Sequence, residues 1–137
     1  DVTIQAQILE LIQNLQKKNG MSVLFITHNL AVVHQLCNRV YVMYGGKIVE
    51  EADKNILFQK PSHPYTRGLL DSIPKINIKN KILKSIEGTV PPPSEYKSNC
   101  RFAPRCSQSM EICFKSMPDN YKISDNHHAA CFKFQPK

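Results

Sequence analysis

The sequence predicts an α/β fold: helices covering a parallel sheet, with a small irregular cysteine-rich module behind it. Three observations in the 137 residues carry that expectation. Apolar residues at helical spacing over 4–15 lead into a continuous apolar run, Ser22–Thr27, which reads as a strand covered on both faces. Helical spacing then resumes from Leu30. Four of the five cysteines, Cys100, Cys106, Cys113 and Cys131, crowd the last third.

Ile4, Ile8, Leu11, Ile12 and Leu15 mark one face of the first helix, with Lys17-Lys18 near its negative end and Asn19-Gly20 as its stop. After the apolar run, Leu30, Val33 and Cys37 mark the next helix, where Cys37 reads as a core residue. Arg39–Tyr44 alternates and meets Lys47–Ala52 across Gly45-Gly46, a two-residue hairpin signal. Asp53 is placed to cap a short helix reaching Lys60, and His63-Pro64-Tyr65 to open another through Ile73. From Pro74 to Asn99 the chain is rich in lysine and ends in Pro91-Pro92-Pro93, a stiff spacer. One helix, one buried strand and one helix do not make a free-standing parallel sheet. The amino-terminal part is therefore expected to be the tail of a larger domain that begins upstream.

Charge and composition exclude several classes. Residues 1–73 hold seven Lys/Arg against six Asp/Glu, and residues 74–137 hold eleven against five, so most of the net +7 lies in the second half. No aromatic residues interleave with that basic stretch as RNA-binding surfaces require, so it reads as a solvated face and no nucleic-acid partner is expected. No export signal opens the chain, and the longest apolar run, Val23–Ile26, is far short of a bilayer span. The chain is expected to be soluble or held at a membrane only by partners. Clustered cysteines without an export signal point to a metal or cluster before disulfides. The pattern Cys100-x5-Cys106-x6-Cys113-x17-Cys131 supplies four thiolates, which suit zinc or an iron–sulfur cluster. His127 and His128 are either substitute ligands or surface residues preceding Cys131.

His28 is the candidate reactive group. Ligands in open α/β sheets sit at the carboxyl ends of strands, and Thr27-His28-Asn29 falls there. A neutral imidazole can donate to a phosphate oxygen or a water while accepting at its other nitrogen; a residue that merely starts the next helix would look the same.

Val23–Val33, with Thr27-His28-Asn29-Leu30, resembles the switch-histidine loop of ATP-binding cassette ATPases, with Asn29 where an acid is usual. Asp1-Val2-Thr3 and the Gln-rich helix resemble the end of the D-loop. Arg39–Gly46 followed by Lys47-Ile48-Val49-Glu50 is similar to the strand pair closing that nucleotide-binding domain. The resemblance implies that His28 contacts the γ-phosphate of Mg2+-bound ATP and helps hold the attacking water, and that Asp1 shapes the interface with a second ATPase subunit. No G-x-x-x-x-G-K-[ST] loop, signature Leu-Ser-Gly-Gly-Gln or acidic pair after a strand occurs in these residues, so alone they are expected neither to bind ATP tightly nor to hydrolyse it.

His63-Pro64-Tyr65-Thr66, Gly88-Thr89-Val90-Pro91 and Cys100-Arg101-Phe102-Ala103-Pro104-Arg105-Cys106 resemble the carboxy-terminal extension of oligopeptide and dipeptide importer ATPases, the peptide and nickel branch. That resemblance implies three parts: residues 1–60 closing the nucleotide-binding domain, 61–99 an importer-specific helix and linker, and 100–137 a four-cysteine module. It implies a [4Fe–4S] cluster on the four cysteines, with zinc as the alternative and with Arg101 and Arg105 offsetting its charge. It further implies transmembrane permease subunits, a peptide-binding protein outside the cytoplasm, and a place on the cytoplasmic face of the bacterial inner membrane. The residues read without it leave two rivals: a stand-alone four-cysteine metal module with a nucleic-acid-contacting tail, and a split gene product without activity.

Overall fold

The computed structural model describes residues 2–73 and 85–136, and the chain divides into two compact units, 1–37 and 38–137. The first unit holds α1 (Val2–Asn19) and α2 (Leu30–Leu36). Helix α1 ends as its sequence requires: Gly20 takes φ +63° and its N–H donates to the Gln16 carbonyl at 2.9 Å. The expected core face is not covered, however. Ile4, Ile8, Leu11 and Leu15 are exposed, and Leu9 is the buried apolar residue of the helix. The run Ser22–Thr27 belongs to no ladder, and its Leu24 and Ile26 are 86% and 91% exposed. A strand needs a neighbour to satisfy its N–H and C=O groups, and the described residues of this unit supply none. The expected parallel sheet is thus not among the described residues. Cys37, expected in the core, is half-buried at the end of α2, where the buried residues are Val32 and Val33.

The second unit is built on a four-stranded antiparallel sheet in the order β1-β2-β4-β3. Strands β1 (Arg39–Tyr44) and β2 (Lys47–Asp53) form the expected hairpin. Gly45 and Gly46 adopt φ +56° and +78°, the pair of left-handed residues such a turn demands. A side chain at Gly45 would also strike the Tyr96 hydroxyl at 3.0 Å. Along β1 the alternation is regular, burying Val40, Val42 and Tyr44. Along β2 it breaks. The register passes from Val42↔Glu50 to Met43↔Ile48, so Val49 is an extra, bulged residue. The bulge lets Val49 and Glu50 both face inward while Ile48 turns out beside Met43.

Helices α3 (Lys54–Gln59) and α4 (Pro64–Asp71) follow. Asp53 stands at the start of α3 but makes no cap bond; its carboxylate accepts instead from Asn126 Nδ2 at 2.9 Å. Leu57 of α3, 1% exposed, enters the core beneath the hairpin, and its truncation to Ala removes about 2–5 kcal/mol of burial and packing. Residues 74–84, most of the expected lysine-rich spacer, lie outside the described residues. Beyond them the chain is tied down: Arg105 donates to the Ile86 and Glu87 carbonyls at 3.0 and 2.9 Å. Ile86 lies against Gly68 of α4, where a Cβ would come within 2.6 Å of it.

The cysteine-bearing segment is 3-10 turns at Ala103–Arg105, Glu111–Phe114 and Phe132–Phe134, with a short hairpin of β3 (Tyr121–Ser124) and β4 (His127–Ala129). Strand β4 pairs with β2, so the Gly45-Gly46 hairpin and the cysteine segment share one sheet. Phe102 and Ala103 complete the core. Phe102 sits edge-on to Tyr44 at 5.1 Å and tilted against Tyr65 at 5.4 Å.

Candidate functional site

The first site is the turn around His28. Thr27 Oγ1 accepts from the Asn29 N–H at 3.0 Å, and Asn29 Oδ1 accepts from the N–H groups of Ala31 and Val32 at 3.0 and 3.4 Å. Asn29 is therefore the N-cap of α2. The two flanking side chains bind backbone N–H groups that follow His28, and its imidazole stands exposed at the end of the apolar segment. An exposed imidazole can donate a hydrogen bond to a phosphate oxygen. Asp1 lies outside the described residues.

The second site is the cysteine cluster, where all four sulfurs accept backbone N–H bonds. Phe102 and Ala103 donate to Cys100, Gln108 to Cys106, Met110 to Cys113 at 3.4 Å, and Lys133 to Cys131. The sulfurs are also electrostatic neighbours. Burial pushes the Cys100 thiol up, the N–H groups oppose it, and Cys113 and Cys131 push it up further. Burial likewise raises Cys106, with Cys113 adding to it, and raises Cys131, with Cys106 and Cys113 adding. At Cys100, Cys106 and Cys131 burial thus disfavours the free thiolate, while the backbone N–H groups oppose that effect. Among the described residues, no three His, Cys, Asp or Glu side chains are arranged to hold a metal ion. The four donors are of the type a tetrathiolate centre uses, but in the described geometry they form no metal site.

Arg101 and Arg105 do not serve the sulfurs as expected. Arg101 Nη1 donates to the Gly45 carbonyl and its guanidinium lies over Tyr96 at 4.5 Å, while Arg105 holds residues 86–87. The cation that favours thiolate at Cys106 and Cys131 is Lys133, whose Nζ donates to Gln108 Oε1. Sequence reasoning passed over it because it sits after the last cysteine, where the resemblance carried no motif.

His127 and His128 are neither ligands nor simple surface residues: each turns to a carboxylate. His128 Nδ1 lies 3.2 Å from Glu51. His127, 3% exposed, places Nε2 at 2.7 Å from Glu50 Oε1. Glu50 is 0% exposed, and its two oxygens also accept the N–H groups of Ser62 at 2.7 Å and His63 at 2.9 Å. Three donors satisfy a carboxylate that would otherwise be very costly to bury. Nothing in the sequence announced this node, because KIVEEA reads as a polar strand end unless the bulge at Val49 is known.

His63 starts α4 as expected, its Nδ1 accepting from the Tyr65 N–H at 3.1 Å. Burial lowers its pKa from 6.5 to about 4, although Glu50 pulls the other way. Folded His63 thus binds fewer protons than the unfolded chain between these values, so stability falls as pH drops through 6.5 toward 4. The expected loss by the lower end is about 3 kcal/mol. Urea unfolding at several pH values reads it, and His63→Asn, which keeps a capping oxygen, flattens the slope.

Residues 49–113 match the family model described as oligopeptide/dipeptide transporter, C-terminal region. The oligopeptide transport ATP-binding protein AppD of Bacillus subtilis is 45% identical over 135 residues, covering 98% of this chain and 41% of its own. The dipeptide transport ATP-binding protein DppD of the same organism is 44% identical over 132 residues, covering 96% and 39%. A Brucella ovis protein named for peptide import and ATP binding is 44% identical over 141 residues, covering 98% and 42%. The chain therefore spans about two fifths of the length of these relatives. Their names give the nucleic-acid-module reading no support. By its matched residues and its relatives, the chain belongs to the oligopeptide/dipeptide transporter family, in the part described as its C-terminal region.

Proposed function

We propose that this chain forms part of a subunit that couples hydrolysis of Mg2+-bound ATP to uptake of oligopeptides or dipeptides across the bacterial inner membrane. The observation that carries the reading is the Thr27-His28-Asn29 turn, an exposed imidazole between two backbone-binding side chains, in a chain whose relatives are named as ATP-binding transport proteins. His28 orients toward the terminal phosphate and the attacking water, a positioning role suited to phosphoryl transfer. Asp1 contributes to the contact with a second ATP-binding subunit. The partners are permease subunits in the membrane and, through them, an extracytoplasmic peptide-binding protein. The subunit works peripherally on the cytoplasmic face; no helix among the described residues is long and apolar enough to cross a membrane.

Cys100, Cys106, Cys113 and Cys131 hold a [4Fe–4S] cluster in this reading. Four sulfurs that accept backbone N–H bonds, three of them under the electrostatic influence of other cysteines, support it, and a cubane tolerates wider sulfur separation than one tetrahedral ion does. When bound, the cluster supplies a dianionic cross-link among the 3-10 turns.

The transport reading is tested by joining this chain to the upstream part of a relative such as AppD and measuring ATPase activity with and without permease subunits in vesicles. Activity stimulated by the permease supports it, and a stable joined protein without ATPase activity refutes it. The cluster is tested separately, by anaerobic reconstitution with iron and sulfide: broad absorbance near ~400 nm supports it, and a colourless zinc-loaded protein assigns zinc instead.

A further inference from the structure

The chain passes from the apolar run into α2 through Thr27-His28-Asn29, and four hydrogen bonds make that turn. Thr27 Oγ1 accepts from the Asn29 N–H at 3.0 Å. Asn29 Oδ1 accepts from the N–H groups of Ala31 and Val32 at 3.0 and 3.4 Å, and the Asn29 carbonyl accepts from the Val33 N–H at 3.1 Å. Those last three lie wholly downstream of His28. Only the first closes across it, so the backbone dihedral angles of His28 fall inside the ring that Thr27 Oγ1 makes with the Asn29 N–H.

The imidazole has no tether of its own. It is exposed and makes no hydrogen bond among the described residues. Its place is therefore set by the backbone that carries it and by its own rotamer. A group that must meet a phosphate oxygen and a water at hydrogen-bond distance loses rate steeply when it is misplaced by about 1 Å. Threonine suits the task of fixing that backbone, because its oxygen is the acceptor and its β-branch stiffens χ1. Serine keeps the oxygen without the branch, and valine keeps the shape without the oxygen.

We propose that Thr27 is the positioning residue for His28: its hydroxyl oxygen closes the turn that aims the imidazole at the terminal phosphate. The proposal rests on the phosphoryl-transfer reading above. Thr27 touches no substrate in this role and acts only through His28. Asn29 has a separate task, since it starts α2 and its three bonds do not involve the Thr27 hydroxyl. Two consequences follow from that division. Removing the Thr27 acceptor lowers turnover without lowering nucleotide affinity, and it costs nothing further once the imidazole is gone.

The experiment uses the chain extended to the length of its relatives and measures steady-state ATPase rates beside equilibrium binding of a nucleotide analogue. Thr27→Val should lower kcat about five- to ten-fold, the worth of one ordinary hydrogen bond, with analogue affinity held within about two-fold. Thr27→Ser should keep the kcat of the parent. In a His28→Ala background Thr27→Val should have no effect, whereas a merely structural loss would recur at the same size. Three results overturn the proposal: a Thr27→Val chain that turns over as the parent does, a loss that Thr27→Ser shares, or the same fold-loss with and without the imidazole. A Thr27→Val chain that fails to fold overturns it too, since a positioning residue is dispensable for folding. Parent-like turnover in His28→Ala overturns the reading of His28 and this proposal together. A loss in His28→Ala beside parent-like turnover in Thr27→Val overturns this proposal alone.

Discussion

Replacing His28 by Ala, in the chain extended to the length of its relatives, lowers kcat for ATP hydrolysis by about 10²- to 10³-fold and leaves ATP affinity nearly unchanged. That is the usual effect of deleting one preorganised hydrogen-bonding group aimed at charge developing in the transition state. The split between kcat and affinity matters. Most of the binding free energy for a nucleotide comes from its phosphate loop and base contacts, whereas in the proposed role His28, in the turn formed by Thr27 and Asn29, would meet only the terminal phosphate. Steady-state ATPase rates beside equilibrium binding of a nucleotide analogue read both quantities. Unchanged turnover removes His28 from the mechanism and reduces the turn to a helix start.

Glu50→Ala destabilises the second unit by about 3–5 kcal/mol, the range for breaking a buried pair and stranding its partners. Three donors lose their acceptor at once: the N–H groups of Ser62 and His63, and the imidazole of His127. Each stranded buried group costs about 1–3 kcal/mol, and the cavity left behind adds to it. Glu50→Gln costs less, since one amide oxygen still accepts, but its NH2 group then faces another donor. The chain has no Trp, so the convenient probe is the near-ultraviolet circular dichroism of Tyr44 and Tyr65, whose rings meet at 4.7 Å in the same core. Urea unfolding followed by that signal should shift to a markedly lower midpoint in the alanine variant. A midpoint within 0.5 kcal/mol-equivalent of the parent, a change expected only at an ordinary surface site, would mean the node contributes nothing.

Local patterns carried much of the second unit. The Gly45-Gly46 turn and the start of α4, like the capping oxygen of Asn29 in the first unit, follow from short-range chemistry, since each is decided by two to four neighbouring residues. The apolar run Ser22–Thr27 was legible as a strand by composition, yet it forms no ladder among the described residues, because pairing belongs to a sheet and not to a segment. The role of Asp53 was misplaced for a related reason: Asn126, seventy-three residues away, competes with the helix end for its carboxylate and wins. Arg101 and Arg105, expected beside the sulfurs, were drawn off by carbonyls at Gly45, Ile86 and Glu87.

By itself the sequence determined the succession of elements, the histidine at the end of an apolar segment, four clustered cysteines, and through its resemblance the transporter family. Only the tertiary structure decided that β4 joins β2, that Val49 bulges, and that Glu50 and His127 meet in the dark interior of one sheet. The physical reason is range. Turns and caps are settled by backbone geometry within a few residues, whereas the burial of a charge depends on donors delivered from distant stretches of chain, and no local pattern encodes their arrival.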